Sequence, residues 1–202
     1  MVGTVSDGNV LILTGPSGAG KTTIAQALTL GCQCPAVHLH ADDFWRFIRH
    51  GLLAPHSPAA RAQNSVVIDA VAAAASAYAR GGYLVVVDGV IGPWYLERFR
   101  ASINGPLHYV VLRPDIQTTL ARASGRGGRG LTSEGLIEDA IRHLHMRFAD
   151  LGSLECHAID TTGQMMEETL KRVQEILKAG ASRLPGSERS MFESQKPRTR
   201  GS

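Results

Sequence analysis

The chain has 202 residues, of which 44% are hydrophobic and 19% charged, a composition that suits one globular domain and excludes wholesale disorder. Lysine and arginine number 21 against 18 aspartates and glutamates, so the formal charge is +3. Residues 181–202 contain five basic and two acidic side chains and therefore carry all of that charge. A neutral body with a basic tail lacks the clustered basic face of a DNA-binding domain, and no nucleic-acid partner is expected.

The three cysteines are too few and too unevenly spaced for a disulfide framework or a paired zinc knuckle, so a reducing compartment is expected. No run reaches the roughly 18 apolar residues that a membrane span needs. No basic segment precedes an apolar one as in an export signal. These features predict a cytoplasmic protein with no membrane partner.

Hydrophobic periodicity predicts strands that alternate with helices. In chain order these are a strand at 9–14, a helix at 21–30, a strand at 36–40, helices at 42–48 and 66–80, a strand at 83–87, a helix at 93–103, a strand at 107–112, a helix at 115–124, a helix from Thr132 or Ser133 to Phe148, a strand at 156–159 and a helix at 165–178. This alternation predicts an α/β fold with a five-stranded parallel sheet and helices on both faces. Residues 1–180 form the predicted domain, and 181–202 a basic, disordered tail.

Residues 15–22 match the phosphate-loop pattern G-x-x-x-x-G-K-[ST] and lie between a predicted strand and a predicted helix. In such a loop backbone N–H groups surround the phosphates, Lys21 reaches the β- and γ-phosphates, and the Thr22 hydroxyl binds Mg²⁺. A dinucleotide-binding fingerprint fails because Thr23 stands where its third glycine belongs. The predicted nucleotide-binding residues are Gly15, Pro16, Ser17, Gly18, Ala19, Gly20, Lys21, Thr22 and Thr23.

Other signatures of phosphate-loop proteins are absent from the chain. It has no Asn-Lys-x-Asp or Thr-Lys-x-Asp guanine-binding motif and no Leu-Ser-Gly-Gly-Gln transporter signature. It also has no helical lid domain after the five predicted strands, as large ring ATPases have. A small phosphotransferase is the class that these absences leave.

Four segments carry a family resemblance: the phosphate loop, residues 42–45 after the second strand, the Arg/Gly-rich loop near 126, and residues 159–163 at the end of the last strand. Together they resemble small-molecule P-loop kinases of the chloramphenicol phosphotransferase-like, gluconate kinase-like and shikimate kinase-like families and their ATP-binding relatives. The resemblance covers about residues 8–180. It implies a three-layer P-loop NTPase fold with a short Arg/Gly lid, and ATP and Mg²⁺ as cofactors.

The resemblance also implies roles for acidic residues. Asp42 takes the place of the residue that accepts the proton of the acceptor hydroxyl or helps to hold Mg²⁺, whereas Asp43 is an alternative base or the N-cap of the next helix. Asp88 corresponds to the residue that orients water on Mg²⁺, its alternative being a turn aspartate before Gly89. The chain has His40 where gluconate and shikimate kinases show the first aspartate of Asp-x-Asp, which argues against either substrate.

The Arg/Gly-rich loop resembles the lid that closes over the phosphates in these kinases. Arg126 and Arg129 would then neutralise charge on the transferring phosphoryl group, with Arg122 on the bound nucleotide. The alternatives are a solvated loop and an RNA-binding Arg-Gly-Gly segment. The predicted catalytic residues are Lys21, Asp42, Arg126 and Arg129, and the predicted metal ligands are Thr22 and Asp88.

Two further pairs lie near the predicted strand ends. By the resemblance, Thr161 and Gly163 would contact adenine mainly through their backbone. His38 and His40 share one face of a strand and lack a third metal ligand, so we expect His40 to hydrogen-bond Asp42 rather than bind a metal.

The acceptor site has weaker candidates. Arg46 and Arg49 are three residues apart on a predicted helix, so one of them could face an anionic acceptor group; plain surface charge is the alternative. Trp45, Trp94 and Tyr95 could line an apolar acceptor pocket, and core packing is their alternative.

The sequence as a whole predicts an ATP- and Mg²⁺-dependent kinase acting on a hydroxyl of a small metabolite or antibiotic. Three alternatives stay open: a catalytically silent ATP-binding regulatory protein, a nucleoside or ribosyl kinase, which the Asp-Asp-Phe-Trp run resembles, and a polynucleotide end kinase that uses the basic tail. The acceptor and the oligomeric state are not readable from the sequence.

Overall fold

The structure, a computed structural model, describes residues 8–124 and 134–185. Its centre is a five-stranded sheet whose neighbouring strands are all parallel. The strands are β1 (Val10–Thr14), β2 (Ala36–His40), β3 (Leu84–Asp88), β4 (Leu107–Leu112) and β5 (Ala158–Ile159), in the spatial order β2-β3-β1-β4-β5. The predicted α/β fold with a five-stranded parallel sheet is confirmed.

Helices connect the strands. They are α1 (Lys21–Leu30), α2 (Ala41–Arg46), α3 (Arg61–Arg80), α4 (Leu96–Ser102), α5 (Ile116–Ser124), α6 (Glu134–Arg147) and α7 (Met166–Lys178), with short 3₁₀ turns at Pro58–Ala60, Pro93–Tyr95 and Gly152–His157. Over the described residues no helix has the length and apolar character to cross a membrane.

The strands bury both faces, as expected of a parallel sheet covered on two sides. Along β1, Leu11 and Leu13 pack in the cluster that includes α1 and α7. Val10 and Ile12 point to the opposite face and pack in the cluster that includes α3 and α4. All four side chains are essentially inaccessible to water, so β1 anchors two cores at once.

Three helix predictions differ from the structure at their boundaries. The helix expected at 42–48 ends at Arg46, and the one expected at 93–103 is an α-helix only from Leu96. The one expected at 66–80 begins five residues earlier, at Arg61. The earlier start follows from the 3₁₀ turn before it, which has Pro58 at its first position, where proline suits a helix start. The predicted Arg/Gly lid and the N-cap at Thr132 or Ser133 lie outside the described residues.

Residues 181–185 belong to the folded body, although their composition assigned them to the tail. The N–H of Tyr109 donates to the carbonyl of Ser182 at 2.9 Å, and the N–H of Leu184 donates to the carbonyl of Leu107 at 2.8 Å. Leu184 is buried. Because β5 pairs only with Val111 and Leu112, the earlier part of β4 is left for this segment to cover.

Candidate functional site

The carboxyl ends of β1, β2 and β3 bring the candidate residues to one edge of the sheet. In parallel sheets ligands bind at this edge, at the point where the strand order reverses. Here β1 lies between β3 and β4: β2 and β3 are on one side of β1, and the chain then crosses to β4 and β5 on the other side. The phosphate loop follows β1 directly and leads into α1.

Backbone conformation explains two glycines of the phosphate loop. Gly15 has φ +139° and Gly18 φ +88°, values that side chains rarely allow. A Cβ on Gly15 would lie 2.1 Å from the carbonyl oxygen of Leu112, and one on Gly18 would lie 2.5 Å from that of Thr119. The loop is therefore packed against the end of β4 and against α5, and both positions require glycine.

The side chain of Lys21 lies over this loop. Its Nζ donates a hydrogen bond to the carbonyl of Pro16 at 3.0 Å, and the N–H of Ala19 donates to the same carbonyl at 3.2 Å. Thr23, in the first turn of α1, is exposed. The predicted nucleotide-binding residues thus form one continuous segment, the loop at 15–20 and the first turn of α1, with the ammonium group of Lys21 at the loop.

Asp88, the last residue of β3, is the centre of the site and is fully buried. The hydroxyl of Thr22 donates to its Oδ2 at 2.6 Å. Nε2 of His38 lies 2.7 Å from its Oδ1. Because an ionised carboxylate only accepts hydrogen bonds, Nε2 of His38 carries the donated hydrogen. The structure therefore brings together Thr22 and Asp88, the two predicted metal ligands, and adds His38, whose contact with Asp88 was not predicted.

These contacts decide the ionisation of Asp88. Burial by itself raises the pKa of this carboxyl group, since the charged form loses its hydration. The hydrogen bonds from His38 and Thr22, together with the nearby His40, outweigh that effect and leave the pKa below its ordinary value of 3.8. Asp88 is thus a carboxylate at neutral pH.

His40 lies next to Asp88 and not beside Asp42 as predicted. His40 and Asp88 are directly opposite each other in the β2–β3 register. Nδ1 of His40 is 3.3 Å from Oδ1 of Asp88 but makes no hydrogen bond within the described structure. The ring stacks on that of His38, with centroids 6.4 Å apart. The expected hydrogen bond to Asp42 is wrong, because Asp42 already belongs to the helix after the strand.

Asp42 and Asp43 lie in the first turn of α2 and have different surroundings. Asp42 is exposed, and no ion pair or hydrogen bond of its side chain occurs in the described residues. Asp43 accepts a hydrogen bond from Arg46 at 2.8 Å. The predicted N-cap role of Asp43 is wrong: α2 starts at Ala41, directly after β2, so its N-cap is His40. Of the two carboxylates, Asp42 is the more exposed and the one without a described ion pair.

Arg122, predicted to contact the bound nucleotide, holds the loop after β5. Its Nη2 donates to the carbonyls of Thr161 at 3.3 Å and Gln164 at 3.0 Å. The N–H of Asp115 donates to the Thr162 hydroxyl at 2.8 Å and ties the same loop to the start of α5. Arg126 and Arg129 lie outside the described residues.

The aromatic candidates separate into packed and exposed side chains. Trp45 packs against the core, and its Nε1 donates to Asn64 at 2.9 Å, as its core-packing alternative predicts. Trp94 is 40% exposed and carries the guanidinium of Arg147 over its ring, 3.7 Å from the centroid. Tyr95 stays half-buried beside Trp94.

The two arginine candidates also separate. Arg46 is engaged with Asp43 on the surface of α2. Arg49 is exposed and lies beyond the end of that helix, so the predicted shared helix is wrong. In the described part of the chain, no cluster of three or more His, Cys, Asp or Glu side chains is arranged to hold a metal ion by itself.

The sheet order and the phosphate loop define the class: this is a P-loop kinase fold. The sequence profile of the family described as chloramphenicol phosphotransferase-like protein matches residues 8–178. The chain belongs to that family, as the resemblance predicted. No curated protein sequence matches it.

Solved structures of kinases share this fold. A gluconokinase from Sinorhizobium meliloti 1021 superposes with a TM-score of 0.62 at 16% identity, covering 93% of this chain and 98% of that one. A shikimate kinase from Acinetobacter baumannii superposes with a TM-score of 0.59 at 18% identity, covering 85% and 93%. The Deinococcus radiodurans tunicamycin resistance protein has a TM-score of 0.56 at 19% identity, covering 88% and 98%. Family and fold together support a phosphotransferase activity.

Proposed function

We propose that this protein is an ATP- and Mg²⁺-dependent kinase that transfers the γ-phosphate to a hydroxyl of a small metabolite or antibiotic. One observation carries the proposal: the Thr22 hydroxyl touches the buried Asp88 carboxylate beside a phosphate loop, at the edge where Asp42 stays exposed. Such a grouping would bring a nucleotide, a cation and an acceptor to one edge of the sheet.

The phosphate loop has the features that ATP binding requires. Gly15 and Gly18 let the loop take its left-handed backbone conformation against β4 and α5, and the N-terminus of α1 favours an anion through its unpaired N–H groups. Lys21, already above the loop, would neutralise the β- and γ-phosphates. Arg122 would act on the nucleotide through the loop it supports after β5, at the carbonyls of Thr161 and Gln164.

The donor set fits Mg²⁺. Thr22 and Asp88 offer a hydroxyl and a carboxylate oxygen 2.6 Å apart, and Mg²⁺ prefers oxygen ligands from one or two protein groups together with phosphates and water. When bound, ATP supplies the phosphoryl group and Mg²⁺ withdraws charge from its oxygens. The buried Asp88, held by His38 through Oδ1, would keep Oδ2 directed to this site.

Asp42 would orient the acceptor hydroxyl and accept its proton. Phosphoryl transfer needs little covalent help, so one correctly placed carboxylate is the main contribution of a side chain to the acceptor. The described contacts of Asp42 leave it open to solvent, whereas Asp43 is engaged by Arg46. Arg126 and Arg129 would complete the site by neutralising the transferring group, as in related lids.

A matched pair of carboxylate variants tests the proposal. Lys21→Ala should abolish acceptor-dependent ADP release, because it removes the ammonium group held at the phosphate loop. Asp42→Asn should reduce kcat about 100-fold or more while ATP affinity changes little. Asp43→Asn, one residue away, should stay near the wild-type rate because its carboxylate only pairs with Arg46. Equal losses in the two Asn variants would refute Asp42 as the base.

The acceptor panel should contain sugars, nucleosides, aminocyclitols and chloramphenicol-like diols. The family name and the tunicamycin resistance protein favour an antibiotic, and the sugar kinases favour a metabolite. Preferential phosphorylation of nucleosides would instead support the ribosyl kinase alternative.

Removal of residues 186–202 tests the polynucleotide alternative without disturbing the 181–185 segment packed on β4. We expect that truncation to leave the activity unchanged.

A catalytically silent ATP-binding protein is the second candidate, and His40 favours it. This histidine occupies the place of the first aspartate of Asp-x-Asp and lies 3.3 Å from Asp88. Tight ATP binding without ADP release across the whole panel would support this candidate. Acceptor-stimulated ADP release would dismiss it.

A further inference from the structure

Cys32 and Cys34 bring their sulfur atoms together at the junction between α1 and β2. The two Sγ atoms are 2.6 Å apart. The N–H of Cys34 donates to Sγ of Cys32 at 3.4 Å, and the N–H of Cys32 donates to the carbonyl of Thr29 at 3.4 Å. These two hydrogen bonds hold the turn in which only Gln33 separates the two thiols. The turn therefore holds the two thiols close together.

A reagent can reach this pair from solvent. Both cysteines are half-buried, between the exposed residues Gly31, Gln33 and Pro35. Neither residue belongs to the fully buried core, and both pack at its edge.

A cavity of about 330 Å³ borders Cys32. Apolar side chains from β1, β3, α1 and α7 form most of its wall, and Gln174 and Lys178 of α7 add polar groups. A volume of this size is at the lower end of small-molecule binding sites. The ammonium group of Lys178 suits a ligand with a carboxylate, as a low-molecular-weight disulfide such as glutathione disulfide has.

We propose that Cys32 and Cys34 form a dithiol–disulfide pair that is oxidised by low-molecular-weight disulfides. The Cys32 thiolate attacks one sulfur of the reagent, forms a mixed disulfide and releases one reagent thiol. The Cys34 thiolate then attacks Sγ of Cys32, closes the intramolecular disulfide and releases the second reagent thiol. The protein loses two electrons and two protons, and the reagent disulfide is reduced to two thiols.

The site is separate from the proposed catalytic cleft. The cysteines follow the last turn of α1, whereas Lys21 and Thr22 are in its first turn, and a ten-residue helix is about 15 Å long. The proposal therefore does not depend on kinase activity. Cys156, exposed and distant in sequence, is a matched control because its only described contact is with the carbonyl of Ser153.

Alkylation after treatment with glutathione disulfide tests the proposal on the full-length protein. The reduced protein should take up alkylating reagent at all three cysteines, and the oxidised protein should lose Cys32 and Cys34 from that set while Cys156 remains reactive or carries glutathione. Peptide mapping without reductant should show one peptide with an internal Cys32–Cys34 disulfide, two hydrogens lighter than its reduced form. Dithiothreitol should restore both alkylation sites.

The single variants separate this chemistry from ordinary surface oxidation. Cys34→Ser should stop at a glutathione adduct on Cys32, since no second thiol is present to close the ring, and Cys156→Ser should behave as the wild type. Circular dichroism of each variant verifies that it is folded. Persistence of the Cys32 adduct in the wild type, disulfides between chains on a non-reducing gel, or unchanged alkylation of all three cysteines would each overturn the proposal.

Discussion

His38 and His40 offer a direct test of how the site holds its cation. Both rings lie on one face of β2 beside the same carboxylate, yet only His38 makes a hydrogen bond to Asp88, at 2.7 Å. His40 is 3.3 Å from the same oxygen without a hydrogen bond. His38→Ala should therefore weaken Mg²⁺ binding to the ATP complex, and His40→Ala should change it far less.

The size of the effect follows from the contact that is lost. A hydrogen bond to a charged group contributes about 1.5–3 kcal/mol, and about 1.4 kcal/mol corresponds to a tenfold change in an equilibrium constant. Loss of the His38 contact thus predicts a decrease of roughly 10- to 100-fold in Mg²⁺ affinity, the range usual for partners that orient a metal-binding carboxylate. His38→Gln keeps an N–H donor and should recover part of the loss, whereas His40→Ala should stay within about threefold.

Titration of the ATP-loaded protein with Mg²⁺ by calorimetry, and with Mn²⁺ by electron paramagnetic resonance, measures this affinity without turnover. ATP binding in the absence of metal provides the control, and it should be equal in all variants because neither histidine belongs to the phosphate loop. Thermal unfolding identifies any variant that does not fold. Equal loss in His38→Ala and His40→Ala, or no loss in His38→Ala, would refute the reasoning.

Three further changes test the fold around the site. Gly20→Ala should lower the free energy of unfolding by about 1–2 kcal/mol, because φ of Gly20 is +90° although the space around it is open. Gly18→Ala should lower it by about 1–3 kcal/mol more, because the new Cβ would meet a backbone oxygen of α5. Urea unfolding measures both changes, and equal losses would contradict the packing of Gly18 against α5. Tyr109→Phe removes the 3.0 Å hydrogen bond to the buried carbonyl of Ile91 and should destabilise by about 1–3 kcal/mol by the same measurement; an unchanged midpoint would argue against this bond. Hydrogen bonds from the side chain and the backbone of Thr162 lower the pKa of Asp160 below its ordinary value of 3.8. The stabilising effect of the Asp160 carboxylate is therefore present above that pH and is lost as the pH falls. The difference in Tm between the wild type and Asp160→Asn should thus shrink below about pH 4, and a constant difference would count against this assignment.

The phosphate loop and the alternating strands could be predicted from the sequence because their determinants are local. Residues 15–22 are contiguous, and their glycines are required by backbone conformation within the same turn. The apolar strand runs need no partner to be recognised, since burial on both faces makes them continuously hydrophobic. The family resemblance followed from these segments and the residues at the strand ends.

Pairings between distant residues needed the sheet order. His38 and Asp88 are 50 positions apart and meet because β2 lies beside β3 in parallel register. The only sequence signal for this contact was that two histidines alternate on one strand face and that an aspartate ends a neighbouring apolar strand. Which strand lies next to β2 is a property of the topology and not of either segment.

The sequence by itself determined the fold class, the phosphate loop and the family, because contiguous residues encode each of them. Only the tertiary structure decided that His40 faces Asp88 rather than Asp42, that Arg122 supports the loop after β5, and that residues 181–185 cover β4. The physical reason is the same in all three cases. The neighbours of a polar group are set by the order of the strands and the positions of the helix ends, and the sequence does not state that order.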